Sequence, residues 1–423
     1  MASKRLADYG GEDANGSNHA QGRYQKKRRT YTEEDAKLAK IYENLASEED
    51  HIRVKAAIDL VHTCVALNDI EGDGSTETLS KIQNRLIRGL CSSRKGARIG
   101  FSLAFTEFLG VTLGLLSGES FHKGVTDLIA IIEQQTKAEG GASRQVSSNG
   151  HWMLLNANEY QEKRDYLIGR VFALNCVVRS RVLFKDQEHA QSLPAVIREL
   201  CELGKKSSSS WSKEECGLVC YQAVCLLVRE LPKASETAEK ALETMQELGA
   251  LKTPEGVLIW LELSKHMEHV KFPAKVWHKD DPLHAKEIAT VSKILHSVKL
   301  GDDDDAKETS GARQVAPHFA WKIILQHVMT LPDKEVKKKG KKEQEQRQSA
   351  EHVENKVFKQ FWLEAVDSKC NHDDSIRQRL TLYQICSLQL PHRQRRKLLA
   401  FRFSRILLPL LRLPCFHKVS VTS

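Results

Sequence analysis

The sequence is poor in proline and has no long uncharged apolar run. Only 10 of its 423 residues are proline, which favours long helices over a β-rich fold with many turns. No stretch reaches the roughly 18–20 apolar residues that a membrane-spanning helix needs. Residues 1–37 are rich in Gly, Asn and Lys and lack the apolar segment of a secretory signal. We therefore expect a soluble intracellular protein without a membrane partner.

The sequence also lacks the common active-site motifs. It has no G-x-x-x-x-G-K-[ST] phosphate-binding loop and no G-x-S-x-G nucleophile turn. His266 and His269 have no third metal ligand near them, so a solvated helix face explains them better. The run Asp302–Asp305 could suggest a two-metal site, but such a site needs carboxylates held on a rigid scaffold. We expect no catalytic residue, no metal ion, no cofactor and no small-molecule substrate.

Cysteines are scattered along the chain. The most closely spaced set is Cys216, Cys220 and Cys225, in which the first two lie one helical turn apart. Zinc ligands usually occur as close pairs in loops, often with histidine, and no histidine lies nearby. We expect reduced thiols that fill the core as small apolar side chains. A cluster of metal ligands is the alternative.

The net charge of +9 comes from the end of the chain. Residues 375–423 contain ten Lys or Arg and no Asp or Glu, which leaves 54 basic against 55 acidic residues in 1–374. This end is apolar without a clear helical period. We interpret it as the product of a wrong reading frame or a mis-joined gene, on a truncated chain. A genuine basic tail for a membrane surface or nucleic acid is the alternative.

Helix signals begin at Thr32. Thr32 and Asp35 have the spacing of a capping box, and apolar residues then recur at the helical period. Ser47 and the acidic residues after it predict the start of a second helix. Four apolar residues of this second helix share one face, which an amphipathic helix turns towards the core. That face consists of Val54, Ile58, Val61 and Val65.

Helical patterns of roughly 12–25 residues follow one another along the chain, with no convincing alternating strand. This succession predicts an all-α fold, an irregular HEAT/armadillo-like α-solenoid. A large irregular helical bundle is the alternative. The predicted segments are a disordered basic N-terminal tail (1–30), helical repeats (31–300, 315–332 and 351–370), an acidic loop (301–314), a charged low-complexity insertion (333–350) and an atypical basic apolar tail (371–423).

Two short Lys/Arg clusters lie in the polar segments. Clusters of this kind serve in nuclear import or in nucleic-acid contact, and an ordinary charged loop is the alternative for each. Because two such clusters occur and no export signal is found, we predict nuclear targeting. The candidate residues are Lys26, Lys27, Arg28 and Arg29 in the first cluster, and Lys337, Lys338, Lys339, Lys341 and Lys342 in the second.

Several sequence blocks together point to a known family. The third of them carries the skeleton Arg164, Asp165, Tyr166, Leu167, Gly169 and Arg170. In order, the blocks are "IYENLASEEDHIRVKAAIDLV", "RLIRGLCSSRKGARIGFSLAFTEFL", "EKRDYLIGRVFALNCVVRSRVL", "SWSKEECGLVCYQAV", "PHFAWKIIL" and "FKQFWLEAVD". They resemble the Myb-binding protein 1A and fungal DNA polymerase V (polymerase phi) family. The resemblance covers about residues 32–367, and it is specific because several blocks agree in order.

The second block places positive charge at the turn between two apolar helical halves. The resemblance makes Arg94, Lys95 and Arg98 part of a recurrent "SSRK-x-AR" turn, which we call the elbow (Ser92–Arg98). These side chains could cap helix C-termini, where cations are favoured, or they could contact RNA or an acidic partner. We favour the structural role, and the same three residues are the candidates for nucleic-acid or partner contact.

The resemblance also implies a function. It implies a nucleolar helical-repeat protein that acts in rRNA gene transcription and ribosome biogenesis. The implied partners are rDNA or pre-ribosomal RNA and ribosome-assembly or transcription factors. We expect a non-catalytic scaffold, because no set of carboxylates supports a polymerase. A DNA-directed DNA polymerase, as the family name suggests, is the alternative.

Overall fold

The computed structural model describes residues 32–68, 73–115, 125–137, 152–207, 210–297, 318–330 and 356–367. Within these ranges the chain is mostly helical and contains no β-strand, so the all-α prediction is confirmed. The helices are α1 (Glu33–Leu45), α2 (Asp50–Asn68), α3 (Asp73–Leu90), α4 (Lys95–Leu109), α5 (Val125–Gln135), α6 (Trp152–Arg179), α7 (Gln187–Ala190), α8 (Leu193–Lys206), α9 (Ser210–Glu230), α10 (Ser235–Glu247), α11 (Pro254–His266), α12 (Ile288–Ser297), α13 (Ala320–Thr330) and α14 (Lys356–Trp362).

Helix α1 begins where its sequence predicts. The Asp35 backbone N–H donates to Thr32 Oγ1 at 3.1 Å, and the Thr32 backbone N–H donates to Asp35 Oδ2 at 3.1 Å. These two bonds form the capping box, which satisfies N–H groups that a helix start leaves without partners. The helix then buries Ile41 and Leu45 against the next elements.

Successive helices pack in an order that follows the chain. Helix α1 packs on α2, α2 and α3 pack on α4, and α4 packs on α6. The stack continues from α6 to α8 and α9, then to α10 and α11, and from α11 to α12 and α13. One continuous apolar core runs from Ile41 to Ala365. This arrangement is solenoid-like, while the assignment of its repeats to the HEAT or armadillo type stays a prediction.

Helix α2 turns its predicted core face outwards. Val54, Ile58 and Val65 are 47%, 51% and 38% exposed, so the expectation that this face meets the core is wrong. Its buried apolar side chains are instead small or slender, namely Ala56, Ala57, Leu60 and Cys64. Because alanines let two helices approach closely, α2 can lie against α4 along this side.

The connection between α11 and α12 is irregular. Helix α12 begins only at Ile288, although α11 ends at His266. The Leu283 backbone N–H donates to Asp281 Oδ1 at 2.9 Å, and Pro282 lies between them. Such a side-chain turn competes with helix formation, which explains the late start. Residues 267–287 therefore form a long non-helical segment with one 3₁₀ turn at His278–Asp280.

Several predicted segments lie outside the described residues, and their boundaries stay predictions. They are the N-terminal tail (1–30), the acidic loop (301–314), the charged insertion (333–350) and the C-terminal tail (371–423). Among the helices that are described, none is both long and apolar enough to cross a membrane.

Candidate functional site

The elbow joins the end of α3 to the start of α4. Helix α4 begins at Lys95, and its N-cap residue Arg94 makes no side-chain capping bond. The N-terminal end of a helix carries partial positive charge, so cations in its first turn are unfavourable to that helix. The positive side chains of the elbow therefore need a partner other than α4.

Two elbow arginines donate to the carbonyl ends of neighbouring helices. Arg94 Nη2 donates to the Ala46 carbonyl oxygen at 3.1 Å, and Ala46 is the C-cap of α1. Arg98 Nη1 donates to the Ser92 carbonyl oxygen at 2.6 Å, just beyond the end of α3. Cations are favoured at these ends, because they carry partial negative charge and unpaired carbonyls.

Arg98 also connects the elbow to α6, and Lys95 does not take part. Arg98 Nη1 lies 3.9 Å from Asp165 Oδ1, and both side chains are mostly buried. Lys95 is exposed and forms no hydrogen bond or ion pair with a described residue. Its contact with nucleic acid or a partner stays a prediction, as it does for Arg94 and Arg98.

Arg53 of α2 also holds the α1–α2 turn, whose Ala46 carbonyl accepts from Arg94. Arg53 is 5% exposed, and its Nη1 donates to the Ser47 carbonyl oxygen at 2.7 Å. Its Nη2 pairs with Asp50 at the start of α2. A buried guanidinium with both a carbonyl and a carboxylate partner avoids the cost of an unpaired buried charge. The α1–α2 turn is thus held from both α2 and α4.

Glycines bring these elements into close contact. A Cβ on Gly100 would overlap the Leu45 carbonyl oxygen and lie 2.9 Å from its carbonyl carbon. A Cβ on Gly96 would lie 3.0 Å from Glu48 Oε2. One side of α4, where Gly96 and Gly100 lie a turn apart, therefore touches the backbone of the α1–α2 turn. Any side chain at Gly100 would push the two apart.

The third family block makes the corresponding contacts from α6. A Cβ on Gly169 would overlap Cys91 Sγ, so α6 lies directly on the end of α3. Arg170 Nε donates to Thr136 Oγ1 at 2.8 Å, and its Nη2 donates to the Glu133 carbonyl oxygen at 3.2 Å. Glu133 lies in the last turn of α5, and Thr136 directly follows that helix. Arg170 Nη1 also pairs with Glu199 of α8 at 3.2 Å, which ties three helices together.

The three cysteines of the cluster were predicted to fill the core. Cys216 and Cys220 are buried, whereas Cys225 is half-buried. Burial raises the pKa of Cys216 to about 12, so its thiol stays protonated at neutral pH. The structure adds Cys201 of α8 to the cluster: a hydrogen bond with Cys220 lowers the pKa of Cys201. Among the described residues, no group of three or more His, Cys, Asp or Glu side chains is placed to hold a metal ion.

The other sequence candidates lie outside the described residues. These are the clusters Lys26–Arg29 and Lys337–Lys342 and the acidic run Asp302–Asp305. A second group of cations, which was not predicted from the sequence, consists of Lys252, Lys275 and Lys279 around one surface cavity. No signal in the sequence brings Lys252 to the other two, because a whole helix separates them.

We expect the elbow to contribute to stability. Changing Arg94, Lys95 and Arg98 together to Gln should lower the free energy of unfolding by roughly 1–3 kcal/mol, because two carbonyl ends lose their caps and Asp165 loses its ion pair. Urea denaturation followed by circular dichroism measures this change.

The control for the elbow removes the same number of charges elsewhere. Lys37, Lys55 and Lys233 are exposed on the described surface, and changing them to Gln should shift the free energy of unfolding by less than about 0.5 kcal/mol. Equal stability of both variants would contradict the capping role of the elbow.

Comparison with known proteins places these blocks in a family. Two curated relatives are similar to this chain. One is the rDNA transcriptional regulator pol5 of Schizosaccharomyces pombe, 26% identical over 68% of this chain and 26% of its own length. The other is the rDNA transcriptional regulator POL5 of Saccharomyces cerevisiae, 26% identical over 77% of this chain and 32% of its own length. The chain thus spans about a quarter to a third of these relatives. No solved structure matches it.

The family profile described as DNA polymerase phi matches residues 81–410. This range contains the elbow, the α6 block and the cysteine cluster. It also reaches into the basic C-terminal tail, whose origin in another reading frame stays a prediction. Because the match takes in well over half of the residues, the chain belongs to the DNA polymerase phi family.

Proposed function

We propose that this chain is part of a non-catalytic nucleolar scaffold that acts in rRNA gene transcription and ribosome biogenesis. The scaffold binds rDNA or pre-ribosomal RNA together with ribosome-assembly or transcription factors. The observation that carries the proposal is the similarity to two proteins named rDNA transcriptional regulators, over 68% and 77% of the chain. The solenoid-like stack supports it, because such folds present extended surfaces to large partners.

The charged clusters supply the proposed targeting. Lys26–Arg29 and Lys337–Lys342 are short basic runs of the type read by nuclear import. The elbow residues Arg94, Lys95 and Arg98 remain proposed contacts for nucleic acid or a partner. Lys95 suits this role better than the two arginines, because it is exposed while the guanidinium groups already donate to backbone carbonyls.

The alternative function is that of a DNA-directed DNA polymerase, which only the family description favours. Polymerase chemistry needs carboxylates on a rigid scaffold that hold two metal ions about 4 Å apart. The densest acidic run, Asp302–Asp305, lies outside the described residues. A primer-extension assay decides this alternative: we expect no nucleotide incorporation above that of a variant with all four aspartates changed to Asn.

Crosslinking in cells tests the scaffold proposal. The tagged chain, crosslinked and recovered with its nucleic acid, should enrich rRNA gene or pre-ribosomal RNA sequences over other nuclear sequences. A variant with both basic clusters changed to Gln should lose nuclear accumulation and this enrichment together, whereas changing the exposed Lys37, Lys55 and Lys233 should leave both intact. Recovery without rRNA gene or pre-ribosomal RNA sequences would overturn the proposal.

A further inference from the structure

A surface cavity of about 640 Å³ opens beside the irregular segment 267–287. Lys252, from the loop before α11, lines it together with Lys275 and Lys279. All three lysines are exposed, and none forms a hydrogen bond or ion pair with a described residue. Some exposed lysines elsewhere in the fold, such as Lys81 and Lys240, pair instead with a glutamate at 2.7 Å. The cavity therefore gathers three positive charges that form no ion pair with a described carboxylate.

The wall of the cavity contains a buried polar group without an acceptor. Trp277 is only 3% exposed, and its indole Nε1 has no hydrogen-bond partner among the described residues. The Lys252 ammonium lies 5.7 Å from the centre of the Trp277 ring, within the range of a cation–π contact. A buried N–H without an acceptor lowers stability, but this Nε1 is closed to solvent, so the indole serves the cavity only as the ring beneath Lys252.

The backbone of the segment is held in an unusual conformation at the same place. Lys275, Lys279 and Asp280 have φ angles of 64°, 55° and 56°. This left-handed region favours glycine, and side-chain-bearing residues occupy it at a cost. The Asp280 carbonyl oxygen accepts a hydrogen bond from Trp260 Nε1 at 2.9 Å, which fixes this turn on the buried side of α11. Strained turns that are held in this way are concentrated at ligand-binding sites.

The remaining cavity wall is not that of a simple anion site. Phe272 and His278 line it with aromatic rings, and Asp280 and Glu287 add two carboxylates. The pKa of His278 is lowered, mainly by desolvation and also by nearby positive charge, so its ring is neutral at pH 7. The flat ring can lie against a base. Carboxylates repel free phosphate but accept hydrogen bonds from the N–H groups of bases.

We propose that this lysine cavity (Lys252, Lys275, Lys279 and the wall around Trp277) binds a nucleotide unit of a single-stranded nucleic acid. The lysines contact the phosphate, an aromatic ring stacks on the base, and a carboxylate accepts from a base N–H. A duplex keeps its bases stacked inside and offers only its backbone, so a single strand fits better. This inference rests on the proposed function, because it takes nucleic-acid binding by the chain as given.

Fluorescence anisotropy of labelled oligonucleotides with the full chain tests the cavity. The probes are a single-stranded RNA of about 12 nucleotides, within the site size of a single-strand-binding fold, the DNA strand of the same sequence, and the duplex. Changing Lys252, Lys275 and Lys279 together to Gln should weaken single-strand binding about tenfold or more at moderate salt. The slope of log affinity against log salt concentration should also become shallower by about two units, because each lost phosphate contact removes roughly 0.7 unit.

A matched control removes three lysine charges that have partners. Lys40, Lys81 and Lys240 are exposed and paired with carboxylates, and their change to Gln should leave affinity within about twofold and the salt slope in place. Circular dichroism melts of both variants should stay close to that of the unchanged chain, because none of the six ammonium groups is buried. The comparison of RNA and DNA strands shows which sugar the cavity accepts.

The outcomes separate this inference from the proposed function. If the unchanged chain binds single strands and the cavity variant binds them equally well, the inference alone is overturned. If a polyglutamate peptide displaces the oligonucleotide at equal charge, the cavity takes acidic protein segments and the nucleotide assignment is wrong. If the unchanged chain binds no nucleic acid, both the inference and the nucleic-acid part of the proposed function are overturned. Enrichment of rRNA gene sequences through protein partners could then still be observed in cells.

Discussion

Replacing Gly100 by alanine should destabilise the protein by about 3 kcal/mol or more, the upper end of what overpacking costs. The added Cβ would overlap the Leu45 carbonyl oxygen, and the next nearest atom is also backbone, the Leu45 carbonyl carbon at 2.9 Å. Backbone at a helix end cannot rotate away as a side chain can. Either α4 must shift from the α1–α2 turn, or the last turn of α1 must open. Urea unfolding followed by circular dichroism measures the loss.

Gly110 provides the matched control. It follows α4, has helical backbone angles (φ −58°, ψ −37°), and a Cβ built on it meets no atom within 4 Å. Gly110→Ala should therefore be neutral or stabilising by up to about 1 kcal/mol, because alanine is the better helix former. A Gly100→Ala protein as stable as the Gly110→Ala protein would show that α4 does not touch the α1–α2 turn as described.

Replacing Arg170 by methionine should cost about 3 kcal/mol. Its guanidinium is 16% exposed and its partner Glu199 is 20% exposed, so removal leaves a largely buried carboxylate without its counter-charge. The same change removes the donors to Thr136 and to the Glu133 carbonyl at the end of α5. Methionine retains much of the apolar stem, which makes the lost polar contacts the main effect. Thermal and urea unfolding of the two proteins give the difference.

Arg198 is the control for this prediction, because it also pairs with a glutamate. Arg198 Nη2 lies 2.6 Å from Glu247 Oε2, but the two side chains are 46% and 62% exposed. Exposed ion pairs contribute between zero and about 1 kcal/mol, so Arg198→Met should change stability by less than about 1 kcal/mol. Equal effects at the two arginines would mean that Arg170 does not hold α5, α6 and α8 together.

Local signals in the sequence predicted the helices well. The capping box at Thr32 and Asp35 is formed as expected, because both of its bonds connect residues three apart. The succession of helical periods predicted the all-α fold for the same reason: helix formation depends on neighbours in the chain. The family blocks could also be recognised directly, since they are strings of letters.

Contacts between residues far apart in the sequence could not be predicted in this way. The stripe from Val54 to Val65 has the right period, but period alone does not say which face of α2 meets α4. That choice depends on the close approach that Gly100 permits, and Gly100 is 35 or more residues away along the chain. Arg94 likewise reaches Ala46 across 48 residues. The left-handed turn at Lys275 and Lys279 gave no sequence signal, because neither residue is glycine or asparagine.

The arginines of the elbow and Arg170 fasten helices to one another, so the proposed binding of nucleic acid falls to other exposed charges. The salt dependence of RNA affinity for the elbow variant, with Arg94, Lys95 and Arg98 changed to Gln, tests this most directly. Each lysine or arginine that contacts phosphate contributes roughly one power of salt to the affinity. We predict a slope equal to that of the unchanged protein to within about one unit, since at most Lys95 is free to contact phosphate, together with a lower melting temperature. A salt slope flattened by about three units, with an unchanged melting temperature, would show that the elbow is a nucleic-acid contact and does not fasten helices.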